Sequence, residues 1–199
     1  LVVNKPSWHL GCEADTGEDF RAVFDRTLDV VADADDILPG RAWPVLGVHP
    51  GLISRLVDER GVASDDARDL MQAGLDVAAE YVRDGRALAL KSGRPHYDTT
   101  DAVWDASNAV LQHALSLGAD AGCAVQLHTE ASEDLTDVAE WAAARRQPAR
   151  GEPFLMETDF VDDPGRPGAV MGPKTVPRRV RLLLDEGYDD AVRRAHVET

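Results

Sequence analysis

Short apolar runs alternate with longer amphipathic stretches along most of this chain, and this alternation restricts the fold more than any other feature of the sequence. The apolar runs are short, as expected for strands that are buried on both faces of a sheet. The predicted strands are Leu1–Asn4, Trp43–Val48, Ala87–Leu90, Cys123–Leu127 and Phe154–Glu157.

The stretches between these strands have the three- and four-residue apolar spacing of amphipathic helices. In the first stretch, Phe20, Val23 and Phe24 fall on one face, with acids and arginines on the other. Residues with capping preferences mark the ends of the other helices. These are Ser64 and Gly85 for the second helix, Thr100 or Asp101 and Gly118 for the third, Ser132 for the start of the fourth and Pro177 for the start of the fifth.

Strands and helices that alternate in this way predict βαβ units around a parallel sheet, so the fold class is α/β. The periodicity allows either a doubly wound sheet or a (β/α) barrel. No GxGxxG follows a predicted strand, so the usual marker of a dinucleotide-binding sheet is missing.

A barrel formed by this chain would be incomplete, because eight βα units usually need about 250 residues and the chain has 199. Leu1–Val3 resembles a strand already in progress, and the chain stops after His196–Thr199 without a polar tail, so we expect that both ends are cut. The junction Arg146–Gly151 is either a normal loop or the place where one βα unit has been lost.

The chain is strongly acidic, with 36 Asp and Glu residues against 21 Lys and Arg residues and a net charge of -15. Because stable nucleic-acid binding depends on neutralising phosphates, we do not expect it here. Lysine is scarce, occurring only as Lys5, Lys91 and Lys174. An acidic chain with arginine as its main cation suggests a salt-accumulating halophile, and the alternative is an ordinary acidic cytosolic protein.

Cellular location is predicted from what the sequence lacks. Cys12 and Cys123 do not have the CxxC spacing of a zinc ribbon or redox site. No apolar run approaches the roughly 20 residues of a membrane helix, and no signal peptide is visible. We therefore expect a cytoplasmic protein without membrane association; its oligomeric state is open.

Histidine, lysine and carboxylate residues follow the predicted strands. His49, Lys91 and His128 each come after a strand, and Glu157 and Asp159 end or follow the last one. The carboxyl ends of parallel strands form the active face of α/β enzymes, and imidazoles with carboxylates suit zinc, manganese or a related ion. Each residue alone could also serve a turn, a helix cap or a solvated surface. As a set, they predict a functional site.

Four ordered motifs resemble the TatD-related branch of the amidohydrolase superfamily, most closely its archaeal members. They are Gly47-Val48-His49-Pro50, the Lys91–Tyr97 stretch, Val125-Gln126-Leu127-His128 and Leu155-Met156-Glu157-Thr158-Asp159. The resemblance runs across nearly the whole chain, so we interpret residues 1–199 as a single partial barrel domain.

The resemblance implies a TIM-type (β/α) barrel that binds one or two divalent metal ions (Zn, Mn or Mg). It makes His128 and Asp159 metal ligands, with Asp159 also the candidate general base and Glu157 its catalytic neighbour. It implies that water activated by the metal attacks a phosphoester or an amide-like bond in a small-molecule or nucleotide-type substrate. We expect the substrate to be bound by three further residues, His49, Arg94 and His96.

The chain departs from the family pattern at three places, which indicates a barrel lacking its first βα unit and its sixth. The opening His-x-His pair has no counterpart, since His9 stands alone, and the sixth-strand histidine is missing near Arg146–Gly151. Lys91 stands where the family usually has a bridging Glu. Carbamylated, Lys91 would be a metal ligand; unmodified, it would leave at most one metal.

These departures leave three interpretations open. In the first, the chain is a piece of a metal-dependent hydrolase that is inactive as it stands, while its complete parent is active. In the second, the chain is a catalytically inactive barrel fragment that binds a ligand or partner. In the third, it is a different α/β enzyme whose strand-end residues only imitate this set.

Overall fold

The first four predicted strands pair side by side in one parallel sheet. The computed structural model describes residues 1–129 and 136–145. Within them the strands are β1 (Val2–Val3), β2 (Pro44–Gly47), β3 (Ala89–Gly93) and β4 (Val125–His128), in the order β1-β2-β3-β4. The predicted strand Phe154–Glu157, the helix starting at Pro177, the cap Ser132 and the junction Arg146–Gly151 lie outside the described residues.

The strand order bears on the choice between a doubly wound sheet and a barrel. Each strand pairs in parallel with the next one along the chain. The two common doubly wound strand orders, 3-2-1-4-5-6 and 2-1-3-4-5, both reverse direction within the sheet. Neither order places four consecutive strands side by side. The described sheet therefore has the order that a (β/α) barrel requires.

Helices connect the strands and follow the predicted pattern closely. They are α1 (Phe20–Ile37), α2 (Gly51–Ser54), α3 (Ser64–Arg83), α4 (Asp101–Ala121) and α5 (Thr136–Arg145). Two short 3₁₀ turns, Ser7–Leu10 and Gly17–Asp19, precede α1, and a π-helical turn, Arg55–Glu59, follows α2.

The hydrophobic core lies between the sheet and its helices. Leu46 of β2 and Leu90 of β3 are paired in register and fully buried. They belong to one cluster with Phe24 of α1, Leu75 of α3 and Val110 of α4. Burying a side chain of this size contributes about 1.5–3 kcal/mol, so the apolar spacing that predicts these helices also docks them on the sheet.

The end of α4 corrects the prediction that Gly118 closes this helix. The helix continues to Ala121, and Gly122, with a φ of 65°, is the left-handed residue that ends it. Gly118 is needed for a different reason, because a Cβ there would lie 2.5 Å from Cγ2 of Val125 on β4. The other end agrees with the sequence, since the Thr100 side chain accepts a hydrogen bond from the Val103 N–H.

No helix among residues 1–129 and 136–145 is both long enough and apolar enough to span a bilayer.

The close approach of β2 and β3 at Gly47 generates the first testable prediction. A Cβ at Gly47 would lie 1.9 Å from the carbonyl oxygen of Lys91. Because this atom belongs to the backbone, Gly47→Ala must separate the strands, and we expect it to lower the free energy of unfolding by at least about 3 kcal/mol. Urea denaturation measures the loss.

Gly40→Ala is the matched control. Its Cβ would meet no atom within 4 Å, although its φ is 69°, so the expected cost is about 1 kcal/mol. Equal losses in the two variants would show that the contact between β2 and β3 is looser than described.

Candidate functional site

The residues predicted to form the site lie at the carboxyl end of the sheet. His49 follows β2 by two residues, and His128 is the last residue of β4. His96 lies in the loop after β3. Because the strands are parallel, these segments meet at one edge.

Lys91 lies within a strand, which corrects its predicted position after one. The ladder between β3 and β4 continues through Lys91, Ser92 and Gly93 as far as His128, so β3 ends at Gly93 and not at Leu90. Successive strand residues alternate between faces. Lys91 therefore shares a face with His128, while Leu90 packs on the opposite face in the helix-covered core.

Three imidazoles converge at this edge, and we name His49, His96 and His128 the histidine cluster. The ring centroids of His49 and His128 are 5.2 Å apart, and those of His96 and His128 are 5.1 Å apart. His128 Nε2 lies 3.1 Å from His96 Nδ1, at hydrogen-bonding distance. The three residues come from three segments separated by more than 30 positions in sequence, so the sheet brings them together.

His49 has a defined tautomer. Its Nδ1 accepts a hydrogen bond from the Gly51 backbone N–H at 3.0 Å. A backbone N–H can only donate, so the neutral ring carries its hydrogen on Nε2. His49 therefore presents an N–H donor, which suits contact with a substrate oxygen and does not suit direct metal ligation.

The charge state of His49 follows from its surroundings. Burial lowers the pKa of the His49 imidazole to about 3, with further lowering from the positive charge of Lys91 and from the neighbouring histidines. His49 is therefore neutral at physiological pH, in agreement with its hydrogen bond from Gly51.

Two aromatic side chains, Trp8 and Tyr97, border the histidine cluster, and neither was predicted as part of the site. The Trp8 ring meets His49 edge to face at a centroid distance of 5.6 Å, and the Arg55 guanidinium lies 5.6 Å from the Trp8 centroid. On the other side, the Tyr97 ring packs against His96 at 5.3 Å, and its hydroxyl donates to Ser54 Oγ at 2.9 Å. The sequence offered one signal for these two aromatic residues, because each is next to a histidine in the chain.

Asn4 fixes the segment that leads to His49. Its side-chain amide donates to the Gly47 carbonyl at 2.9 Å and accepts from the Gly47 N–H at 2.8 Å. The buried amide thus replaces a neighbouring strand and continues the ladder where β1 stops. Sequence analysis included Asn4 in the predicted strand Leu1–Asn4 but not in the site, because no local signal shows that its side chain reaches Gly47.

Arg94 was predicted to bind substrate, and the described contacts of its side chain are with helices. It is 2% exposed, and Nη1 donates to Asp137 of α5 at 2.5 Å. The guanidinium also lies over the rings of Trp104 and Trp141. These contacts connect β3 to α4 and α5, while substrate binding by Arg94 and His96 stays a prediction.

Few of the described side chains could act together as metal ligands. Within residues 1–129 and 136–145, no group of three or more His, Cys, Asp and Glu side chains could hold a metal ion. The described donors suited to an ion are the two facing imidazole nitrogens of His96 and His128. The predicted ligand Asp159 and its neighbour Glu157 lie outside the described residues, and metal ligation by Lys91 stays a prediction.

Comparisons with known proteins place the chain by sequence similarity. A family model described as TatD related DNase matches residues 20–151, more than half of the chain. A protein of Methanocaldococcus jannaschii described as "Uncharacterized protein MJ1127" is 27% identical over 243 residues, covering 100% of this chain and 82% of the relative. No solved structure matches the chain significantly.

The environment of His49 predicts its behaviour during a pH titration of the metal-free protein. The folded-state pKa of about 3 lies below the ordinary value of 6.5. Proton-coupled NMR should show an Nε2-protonated, neutral ring from pH about 5 to about 8. The spectrum of a His49→Gln variant assigns the signals, and a titration midpoint inside this range would contradict the prediction.

The same shift has a consequence for stability. Between pH 6.5 and about 3 the unfolded chain binds more protons at His49 than the folded chain does. The contribution of His49 is therefore fully present above pH 6.5 and declines as the pH falls towards about 3. His49→Gln should reduce the acid sensitivity of the free energy of unfolding in this window.

Proposed function

The chain belongs to the TatD-related DNase family, whose members are metal-dependent hydrolases, and on this basis we propose that it derives from an enzyme that hydrolyses a phosphoester or an amide-like bond. The observation that carries the proposal is the convergence of His49, His96 and His128 at the carboxyl edge of the sheet. That edge is where parallel α/β folds assemble catalytic residues.

The metal would be held by His128 and Asp159, with Glu157 supporting Asp159. When bound, a divalent ion such as Zn, Mn or Mg supplies Lewis acidity and lowers the pKa of water enough to make it a nucleophile near neutral pH. Asp159 would accept the proton from that water as general base. The Asp159 carboxylate suits all three ions, whereas the imidazole of His128 suits zinc better than magnesium.

His49 would orient the substrate. Its Nε2–H is directed by the hydrogen bond between Gly51 and Nδ1, so the donor is in place before substrate binds. A phosphoryl or carbonyl oxygen that gains negative charge in the transition state would accept this hydrogen bond. Burial and the nearby Lys91 charge keep His49 neutral, so it would act as a donor and not as a general acid.

Lys91 decides between the leading function and its alternative. A carbamylated Lys91 would present a carboxylate on the face shared with His128 and could bridge two ions. An unmodified ammonium would repel a metal ion at short range. The alternative is a catalytically inactive barrel fragment that binds a ligand or partner. It is supported by Lys91 itself, which stands where the family usually has a bridging Glu.

The same proposal includes the substrate class of the protein, its cellular location and the βα units that the barrel lacks. The net charge of -15 favours a small-molecule or nucleotide-type substrate over long nucleic acids, and we propose a cytoplasmic location. We propose that the barrel lacks its first and sixth βα units, and the length of the alignment with the archaeal relative is consistent with missing residues. That alignment extends over 243 residues where this chain has only 199, so the relative has residues without a counterpart here.

Removing Asp159 tests the proposed chemistry. In the complete parent protein, Asp159→Ala should lower kcat for a chromogenic phosphodiester by about 10²- to 10⁴-fold, with the fold intact by circular dichroism. Asp33→Ala, which removes an exposed carboxylate from α1, is the control and should leave turnover unchanged. Unaltered turnover in Asp159→Ala would refute the assignment and favour a different α/β enzyme.

Modification of Lys91 separates the hydrolase from the inactive barrel. Intact-protein mass spectrometry under native conditions should detect a carbon dioxide adduct that disappears in Lys91→Ala. Adding a short carboxylic acid to Lys91→Ala should then restore part of the lost activity. Lys5→Ala, at an exposed lysine after β1, should retain the adduct. An unmodified Lys91, together with no bound metal, would favour the binding function.

A further inference from the structure

We propose that His96 is a metal ligand and forms, with His128, a two-imidazole binding pair for a divalent transition-metal ion. This inference deepens the proposed function, because it names a second described ligand for the ion that the function requires. It also assigns His96 a different role from the substrate binding expected from the sequence.

The distance between the two ring nitrogens carries the inference. His128 Nε2 and His96 Nδ1 are 3.1 Å apart. Zinc binds imidazole nitrogens at about 2.0–2.1 Å in tetrahedral geometry, which places two nitrogen ligands about 3.3 Å from each other. A lengthening of a few tenths of an ångström, together with a rotation of both rings that directs their lone pairs at the ion, would therefore turn the hydrogen-bonded pair into a chelating pair.

Backbone contacts keep the two segments together without a metal. The Arg94 N–H donates to the His128 carbonyl at 2.8 Å, two residues before His96. Gly93 pairs with His128 in the ladder, and a Cβ at Gly93 would lie 1.7 Å from the same carbonyl oxygen. The backbone two residues before His96 is thus fixed against His128, which reduces the entropy lost on binding an ion.

The orientation of His96 is also constrained. The Tyr97 ring packs edge to face against the His96 ring, and the Tyr97 hydroxyl is anchored on Ser54. Residues that hold a ligand's ring in place raise metal affinity. His49 cannot complete the pair in its present tautomer, because its Nδ1 is occupied by the Gly51 N–H and its Nε2 carries the hydrogen.

Ligation also requires a change of tautomer. In the hydrogen-bonded pair, one of the two facing nitrogens carries a hydrogen. When both bind an ion, that hydrogen moves to the other nitrogen of the same ring, so both rings stay neutral. Lys91 is the charged group on the shared face, and its ammonium opposes the ion unless it is modified.

Copper provides a spectroscopic probe that does not depend on catalysis. Metal-free protein would be loaded with one equivalent of Cu²⁺, and electron paramagnetic resonance would count the coupled nitrogens. We expect two imidazole nitrogens in the wild type and one each in His96→Asn and His128→Asn. Asn at position 96 keeps a polar group near the site of Nδ1, so this variant should retain the fold.

Zinc affinity provides the second measurement, by competition with a chromophoric chelator. Loss of an outer-shell partner already costs about 10- to 100-fold in metal affinity, so His96→Asn should weaken Zn²⁺ binding at least about tenfold. His113→Asn is the matched control, because His113 pairs with Asp76 between two helices at 2.8 Å. It should change neither the affinity nor the nitrogen count.

The results that would overturn the His96–His128 pair can be distinguished from those that would overturn the proposed function. Two nitrogens and full affinity in His96→Asn, with loss in His128→Asn, would overturn the pair while leaving His128 as a ligand and the hydrolase proposal intact. An equal loss in His113→Asn would indicate adventitious surface binding and overturn the pair. No binding of either metal by the wild type would overturn the pair and the metal-dependent function together.

Discussion

The backbone contact between the ends of β3 and β4 is the constraint on which the site depends. Gly93 lies opposite His128, and no side chain fits there, because a Cβ would lie 1.7 Å from the His128 carbonyl oxygen. The Arg94 N–H donates to that oxygen, and this directs the loop so that His96 returns to the His128 ring. A register slip of one residue would turn His128 to the opposite face. The histidine cluster is therefore a consequence of strand pairing.

The electrostatics of the site contrast with those of the chain. The protein has a net charge of -15, yet the described part of the site consists of imidazoles and a lysine. Burial and the Lys91 charge keep His49 neutral, and its hydrogen bond from Gly51 makes it a donor. Such an arrangement suits a ligand with negatively charged oxygens. The Lys91 side chain is on the face shared with His128, so an ammonium there would compete with an ion in the proposed metal site.

Individual residues show how far sequence reasoning reached. The four described strands and the helices Phe20–Ile37 and Ser64–Arg83 were predictable, because apolar periodicity records burial directly. Gly118 was misread as a helix end, since a glycine required for contact with β4 looks the same in sequence as a capping glycine. Lys91 was placed after its strand because a charged residue normally ends a buried run. Pairing with β4 extends the strand, and no local signal reveals that pairing.

The sequence by itself determined the α/β class, the order of the elements and the family, because periodicity and ordered motifs are local properties of the chain. It also identified His49, Lys91, His96 and His128 as chemically notable. The folded structure was needed to show that three of them share one cluster, that His49 is a neutral donor and that the Arg94 side chain contacts helices. Those properties depend on distances between residues far apart in the chain, and these distances are set by strand register and burial.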